Sequence, residues 1–428
     1  MLTRTDLRGY QGDLAAVLPR ASGADPEVVT AVREIIGAVR ERGDAALREL
    51  TKRFDDCVLL ELRVPNQDLA RALERLDPSL RAALEFASDQ IIAYHESQRE
   101  AEAKHERHGV HVRELVVPVD RAGLYVPGGR AAYPSTVLMT AIPARIAGVP
   151  ELVLCVPPDS ETGKPPDATL AAAALAGVDE VYRVGGAQAI AAMAYGTESI
   201  RAVDVIVGPG NRYVSAAKRE VQGVVGIESL AAESELAVIG DDSTNPEWVA
   251  ADLLAQAEHG PGGLAVVITW SESFADAVDE RLAARLEHTT RRTEAEATLA
   301  TGGRLLLVDT PAQAIAVANT IAPEHLQLMN SDPEMLVAEV RNAGAVFCGP
   351  YAPAVIGDYV AGVNHVLPTG GTARFSSALR VSNFQKRVHV VTLDRDALEH
   401  VGPYVTVLAA SEGLDAHAQS IRVREQLP

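Results

Sequence analysis

Apolar residues change their spacing along this chain, and the change divides it. Near the start they recur every three or four positions. Val28, Val32, Ile35, Ile36 and Val39 line one face of a helix predicted over 26–42, with Gly43 as its stop. A second helix reads through Leu80, Leu84, Ala87, Ile91 and Tyr94, and the densely charged stretch 99–108 reads as a solvated helix end or loop whose His105 and His108 belong to the surface. From residue 151 onward short apolar runs alternate with helical patterns. Strands are predicted at 151–156, 181–184 and 203–207, with helices at 169–176, 187–195 and 212–221. The rhythm then restarts. A strand at 236–239 leads to a helix at 246–259, with Asn245 as cap and Pro246 in the first turn, and strands follow at 264–269, 305–308 and 345–347. Two series of alternating strand and helix imply two parallel-sheet α/β domains. The last fifty-odd residues read as a separate helical tail.

Composition narrows the function classes. The 428 residues exceed one ordinary domain and suffice for a sizeable core. A net charge of −19 repels phosphate backbones and anionic lipid, which excludes nucleic acid and membrane surfaces as expected partners. Aromatic residues, at 4%, are too few for base-stacking platforms. Cys57, Cys155 and Cys348 form no CxxC pair, so the expected compartment is the reducing cytoplasm, and Cys155 in its apolar run is expected in the core. No uninterrupted apolar stretch approaches the roughly 18 residues of a membrane span, and the N-terminus has no apolar signal core.

Candidate chemistry sits in several short blocks. No GxGxxG follows a strand, so a conventional dinucleotide fingerprint is missing. Val184-Gly185-Gly186-Ala187-Gln188 opens a helix directly after a strand, which suits either phosphate at the helix start or tight strand–helix packing. Gln256 and His259 share a helix face and could both grip a metal, though a histidine at a helix C-terminus also serves as a cap. Adjacent Glu324 and His325 could supply two acid–base groups at one loop. Gly357-Asp358-Tyr359 and the following Asn364-His365-Val366-Leu367-Pro368-Thr369 are too polar for core and too apolar-flanked for a solvated loop. Glu412 and His417 lie in the tail, and alone they carry little meaning.

Taken together, and with Gly123-Leu124-Tyr125-Val126-Pro127-Gly128-Gly129 and Gly208-Pro209-Gly210-Asn211, these seven blocks in order resemble the histidinol dehydrogenase family over nearly the whole chain. The resemblance implies two Rossmann-like parallel-sheet domains, a helical N-terminal segment and a helical C-terminal tail exchanged in a homodimer. The division it suggests is an N-terminal arm at 1–22, a first α/β domain from 23–115 with 235–375, a second, NAD-side domain at 116–234, and a tail at 376–428 reaching the partner subunit. It implies one zinc ion per subunit held by Gln256, His259, Asp358 and His417, the last from the partner. Glu324 and His325 match the acid–base pair. Ser234, Gln256, His259, His325, Asp358, His365, Glu412 and His417 match positions that touch substrate, and Tyr125, Gln188 and Asn211 match positions that touch NAD. The reaction implied is oxidation of L-histidinol to L-histidine with two NAD, through an aldehyde, in histidine biosynthesis.

One departure matters. The family usually reads Ala-Gly-Pro-Ser/Thr-Glu before the substrate-contacting serine, whereas this chain reads Ala231-Ala232-Glu233-Ser234-Glu235. The replacement removes backbone permissiveness and adds a charge beside Ser234, which puts its placement and the substrate preference in question. Two alternatives stay open on sequence: a related dehydrogenase of another small polar alcohol, and a metal-dependent lyase or hydrolase on the same scaffold without NAD.

Overall fold

The computed structural model describes residues 2–19, 25–128, 131–229 and 233–425. It divides into two units, Met1–Gln98 with Asp120–Phe384, and Arg99–Val119 with Gln385–Pro428. The strands in chain order are β1 (Thr3–Asp6), β2 (Arg63–Val64), β3 (Ala103–Arg107), β4 (Val110–Pro118), β5 (Arg121–Tyr125), β6 (Glu151–Cys155), β7 (Glu180–Tyr182), β8 (Val205–Val207), β9 (Gly226–Ile227), β10 (Glu235–Ile239), β11 (Leu264–Thr269), β12 (Gly303–Leu307), β13 (His325–Leu328), β14 (Ala345–Cys348) and β15 (Gln385–Thr392).

The first unit holds two six-stranded sheets, ordered β2-β7-β6-β5-β8-β9 and β1-β12-β11-β10-β13-β14. Every neighbouring pair is parallel except β2 with β7. The two parallel-sheet series expected from the apolar rhythm are therefore present. Strand β10 shows why its run is uninterrupted by polar residues. Leu236 and Val238 join one core with Val249, Leu253 and Ala257 of the Pro246 helix (Pro246–Ala257), while Ala237 and Ile239 join another with Ala314, Ile315 and Ala318 of the Pro311 helix (Pro311–Ile321). A strand covered on both faces needs apolar residues at both parities.

Three expectations are corrected. The N-terminal segment is not purely helical: residues 3–6 form β1, an edge strand paired with β12, and Leu2 and Leu7 on either side of it are buried. The charged stretch read as a helix end or loop contains strand β3, paired antiparallel with β4, which pairs in turn with β15. All five residues of β3 are exposed, so the strand carries no apolar period and is held by backbone pairing. The tail is accordingly a strand followed by two helices, Arg395–Ser411 and Asp415–Glu425.

Gly43 bends a helix instead of ending it. The Pro26 helix (Pro26–Asp55) continues past a left-handed Gly43 at φ 52°, and the Glu198 carboxylate accepts from Asp44 N at 2.8 Å just beyond the bend. This helix, grouped from sequence with the later strands, packs on the earlier sheet: Val28, Val32, Ile36 and Val39 share a core with Tyr125, Val153 and Ile206.

At the end of β8 a buried ion pair holds the Gly208 loop. Lys218 Nζ lies 2.7 Å from Glu228 Oε1 and 3.1 Å from Gly208 O, while Glu228 Oε1 also accepts from Gly208 N at 2.8 Å. Both side chains are removed from solvent, at 1% and 0% exposure, so either charge alone would be uncompensated. Lys218→Met is expected to destabilise the fold by about 3–5 kcal/mol, read as a lower urea midpoint at constant slope. Adding Glu228→Gln should restore most of the loss, because no lone buried charge then remains. An unchanged midpoint in the single variant would contradict this reading.

Candidate active site

Parallel pairing of β10 with β13, in register Leu236↔His325, sets their preceding residues side by side at the amino edge of the sheet. There the buried Glu324 Oε2 accepts from Ser234 Oγ at 2.7 Å and from Glu235 N at 2.8 Å. His325 Nδ1 lies 3.0 Å from the Glu235 carbonyl and 3.4 Å from Glu324 Oε2, and His325 Nε2 faces Asp358 Oδ1 at 3.7 Å. The carbonyl contact places the proton on Nδ1 in the neutral ring.

Helices that connect parallel strands run back against them, so their C-terminal ends reach this same edge. The Pro246 helix brings Gln256 and, just past its cap, His259. The short Ala354 helix (Ala354–Tyr359) brings Asp358 in its last turn. The Pro311 helix ends on Ala322 in the left-handed region at φ 53°, whose N–H returns to Ala318 O at 2.8 Å before Pro323 turns the chain into Glu324. Helix C-termini carry partial negative charge, so three of them converging favour a cation.

Burial and charge act against each other here. Burial alone would push the His325 imidazole down, but the Glu324 and Asp358 carboxylates raise it well above its ordinary value. Asp358 moves the other way: burial raises it, and the His325 contact outweighs that and lowers it. Glu235, missed from sequence, is pushed up to about 8 by burial and by the Glu324 charge, although Gly370 N and Glu324 N both donate to it. Two adjacent buried carboxylates resist ionising together, so near neutrality Glu235 holds a proton. The available signal was a charged residue heading an apolar strand.

His365 closes the first unit's cluster. Its Nδ1 donates to Asp358 O at 3.0 Å, and its Nε2 accepts from Thr136 Oγ1 at 3.0 Å. Thr136 belongs to the Pro134 helix (Pro134–Ala147), which packs on the other sheet, so this histidine ties the two sheets together. Burial lowers the His365 imidazole from its ordinary value.

Ser234 stands beside this cluster. Its hydroxyl reaches both Glu324 and Gln256, the latter at 3.2 Å, while Glu233 is exposed. Ala231, Ala232 and Gly129 lie outside the described residues.

The three positions matched to NAD gather elsewhere, at the carboxyl ends of the first sheet. Strand order reverses between β5 and β8, the place where open parallel sheets bind ligands. Tyr125 ends β5, and its hydroxyl accepts from Gly186 N at 3.0 Å, while Gln188 is buried in the same helix start. Asn211 caps the Arg212 helix (Arg212–Val221), accepting from Tyr213 N and Val214 N. Gly208 stands at φ 122° with its missing side chain directed onto the Tyr125 carbonyl, a position only glycine fills.

Glu412 and His417 are exposed and belong to the second unit, so the first unit's cluster does not include them. Among the described residues no group of three or more His, Cys, Asp or Glu is arranged to hold a metal. Cys155 is buried in β6 with its thiol pushed up to about 12 by burial, as a core residue should be. No helix of the described residues is long and apolar enough to cross a membrane.

Known proteins match this chain over nearly its whole length. A family model described as Histidinol dehydrogenase matches residues 18–425. A histidinol dehydrogenase of Rhizobium meliloti is 47% identical over 421 residues, covering 98% of this chain and 96% of the relative. One from Pseudomonas aeruginosa is 48% identical, covering 94% and 92%. The crystal structure of histidinol dehydrogenase from Elizabethkingia anophelis superposes with a TM-score of 0.93 at 34% identity, covering 99% of this chain and 98% of that one.

Glu235 makes stability depend on pH in a stated direction. Its folded value of about 8 exceeds the ordinary 4.5, so between those limits the unfolded chain has released a proton that the folded chain keeps. Stability should therefore fall as pH rises from about 5 to 8, by up to ~1.4 kcal/mol per pH unit. Glu235→Gln should flatten that fall in the metal-free protein. Denaturant titrations at several pH values check this, and parallel stability curves for the two proteins would contradict it.

Proposed function

Because the chain belongs to the histidinol dehydrogenase family, we propose that it oxidises L-histidinol to L-histidine with zinc and NAD, through histidinaldehyde, as a cytoplasmic homodimer. The observation that carries the proposal is the juncture of Glu324, His325 and Asp358 beside Gln256, where three helix C-termini meet.

The residues fit a metal ion. Gln256 Nε2 is buried without a hydrogen-bond partner. Amide oxygen and nitrogen are told apart only by their partners. The single Ser234 proton goes to Glu324, the closer acceptor, which leaves Ser234 Oγ facing Gln256 Oε1 with no hydrogen between them. Exchanging the two amide atoms lets nitrogen donate to Ser234 and leaves an oxygen lone pair, a ligand for a cation, in the orphaned position. Gln256, His259, Asp358 and His417 of the partner subunit would hold the ion. Bound there, zinc would supply a charged template for the substrate's imidazole and amine, with polarisation of the alcohol oxygen as its competing role.

His325 takes the alcohol proton as hydride leaves the carbinol carbon for NAD. In the chain alone, two carboxylates favour its protonated form; a cation on Asp358 offsets one of them. Glu324 then takes a proton from water as the water oxygen bonds to the aldehyde carbon, and His325 returns its proton to the carbonyl oxygen, giving the hydrate. His325 takes a hydroxyl proton of the hydrate as a second hydride leaves for a second NAD, and the acid so formed loses its remaining proton to solvent as the carboxylate. Ser234, His365 and Glu412 orient substrate with the proposed metal ligands. Tyr125, Gln188 and Asn211 receive NAD at the carboxyl ends of β5 and β8. No cysteine participates.

Glu324→Gln separates the two steps. Rapid-quench assays should find aldehyde formation largely preserved and conversion of supplied histidinaldehyde slowed by about 10²–10⁴-fold. Equal slowing of both steps would remove Glu324 from its proposed role.

A further inference from the structure

Gln327 is fully buried on β13, two residues beyond His325, and nothing in the proposed chemistry uses it. An amide in the middle of a covered strand must satisfy both its oxygen and its nitrogen. It does so in two directions. Its Nε2 donates to Asp252 Oδ2 at 2.8 Å, on the Pro246 helix. Its Oε1 accepts from Ala354 N at 3.1 Å, the first residue of the Ala354 helix.

Both partners matter for what lies beyond them. Asp252 sits one turn before Gln256, on the same helix face, and two turns before His259. The Ala354 helix starts from Pro353, which offers no side-chain cap, so the Gln327 oxygen is the acceptor for its first N–H. That helix has only six residues, and Asp358 is the fifth. So short a helix cannot fix its own direction and depends on external bonds. One buried amide thus bonds both helices that carry the proposed first-unit metal ligands, from the strand that carries His325.

We infer that Gln327 is a positioning residue that sets the spacing between the Gln256–His259 pair and Asp358, and so sets metal affinity. The inference rests on the metal reading given above. Partners of this kind typically change metal affinity by about 10–100-fold when removed. A residue that merely filled the core would alter stability and leave the affinity of the folded protein alone.

Gln327→Met keeps the volume and removes both bonds. Gln327→Glu with Asp252→Asn restores both bonds, reversing only the one to position 252 and leaving the number of carboxylates unchanged: the new carboxylate accepts from Ala354 N, as the amide oxygen did, and from the new amide. The full-length protein should be stripped, reloaded with zinc alone and titrated against a chelator of known affinity, with the unfolding midpoint of each metal-free protein measured alongside. The expected result is a zinc Kd weakened about 10–100-fold in Gln327→Met and largely recovered in the double variant. Should Gln327→Met fail to fold, the double variant decides: a folded protein with near-native zinc Kd supports the inference, and one that folds but binds zinc as weakly as His259→Ala overturns it. An unchanged Kd in Gln327→Met, whatever its midpoint, also overturns it. Failure of the unaltered protein itself to take up zinc would instead reject the metal reading, and the inference with it.

Discussion

The site depends on one pairing. Strands β10 and β13 run parallel and in register, and each opens on a polar residue that follows another, Ser234-Glu235 in one and Glu324-His325 in the other. Parallel neighbours begin at the same edge, so four polar side chains separated by ninety positions in sequence meet there. Apolar residues on both faces of β10 lock the register, because a slip of one residue would exchange the contents of two cores. The buried carboxylate of Glu324 then organises the edge, drawing in the Ser234 hydroxyl, the Glu235 amide and the His325 ring.

The two sheets would use opposite ends for their proposed tasks. In the first, the positions matched to NAD cluster at the carboxyl ends of β5 and β8, where helix N-termini and glycines suit phosphate. In the second, Glu324 and His325, the proposed acid–base pair, lie at the amino ends, where helix C-termini suit a cation. The same geometry of strand and returning helix therefore yields an anion-favouring edge and a cation-favouring edge. His365, bonded to Thr136 on one side and to the Asp358 carbonyl on the other, spans the two.

Much of this was legible in the sequence, for physical reasons that differ by element. Strands such as β10 and β11 announced themselves because burial on both faces demands unbroken apolar runs. Ser234, Gln256, Glu324, His325, Asp358 and His365 were named from motif, and the first unit gathers them. Strand β3 was illegible because its five exposed residues carry no period. Gly43 reads as a stop because a left-handed glycine commonly ends a helix, whereas this helix resumes past the bend, where the Glu198 carboxylate accepts from Asp44 N. Glu235, Thr136 and Gln327 are not legible in the sequence because their roles come from bonds to residues far along the chain, or to helices whose placement no local pattern encodes.

A single juncture is proposed to perform both oxidations on one substrate. Limiting L-histidinol, supplied with excess NAD to the zinc-loaded protein, tests it by the NADH formed per substrate consumed. Two NADH per histidinol, with histidine as the product, is the predicted result. One NADH with aldehyde accumulating, or none at all, would contradict a shared site for both oxidations.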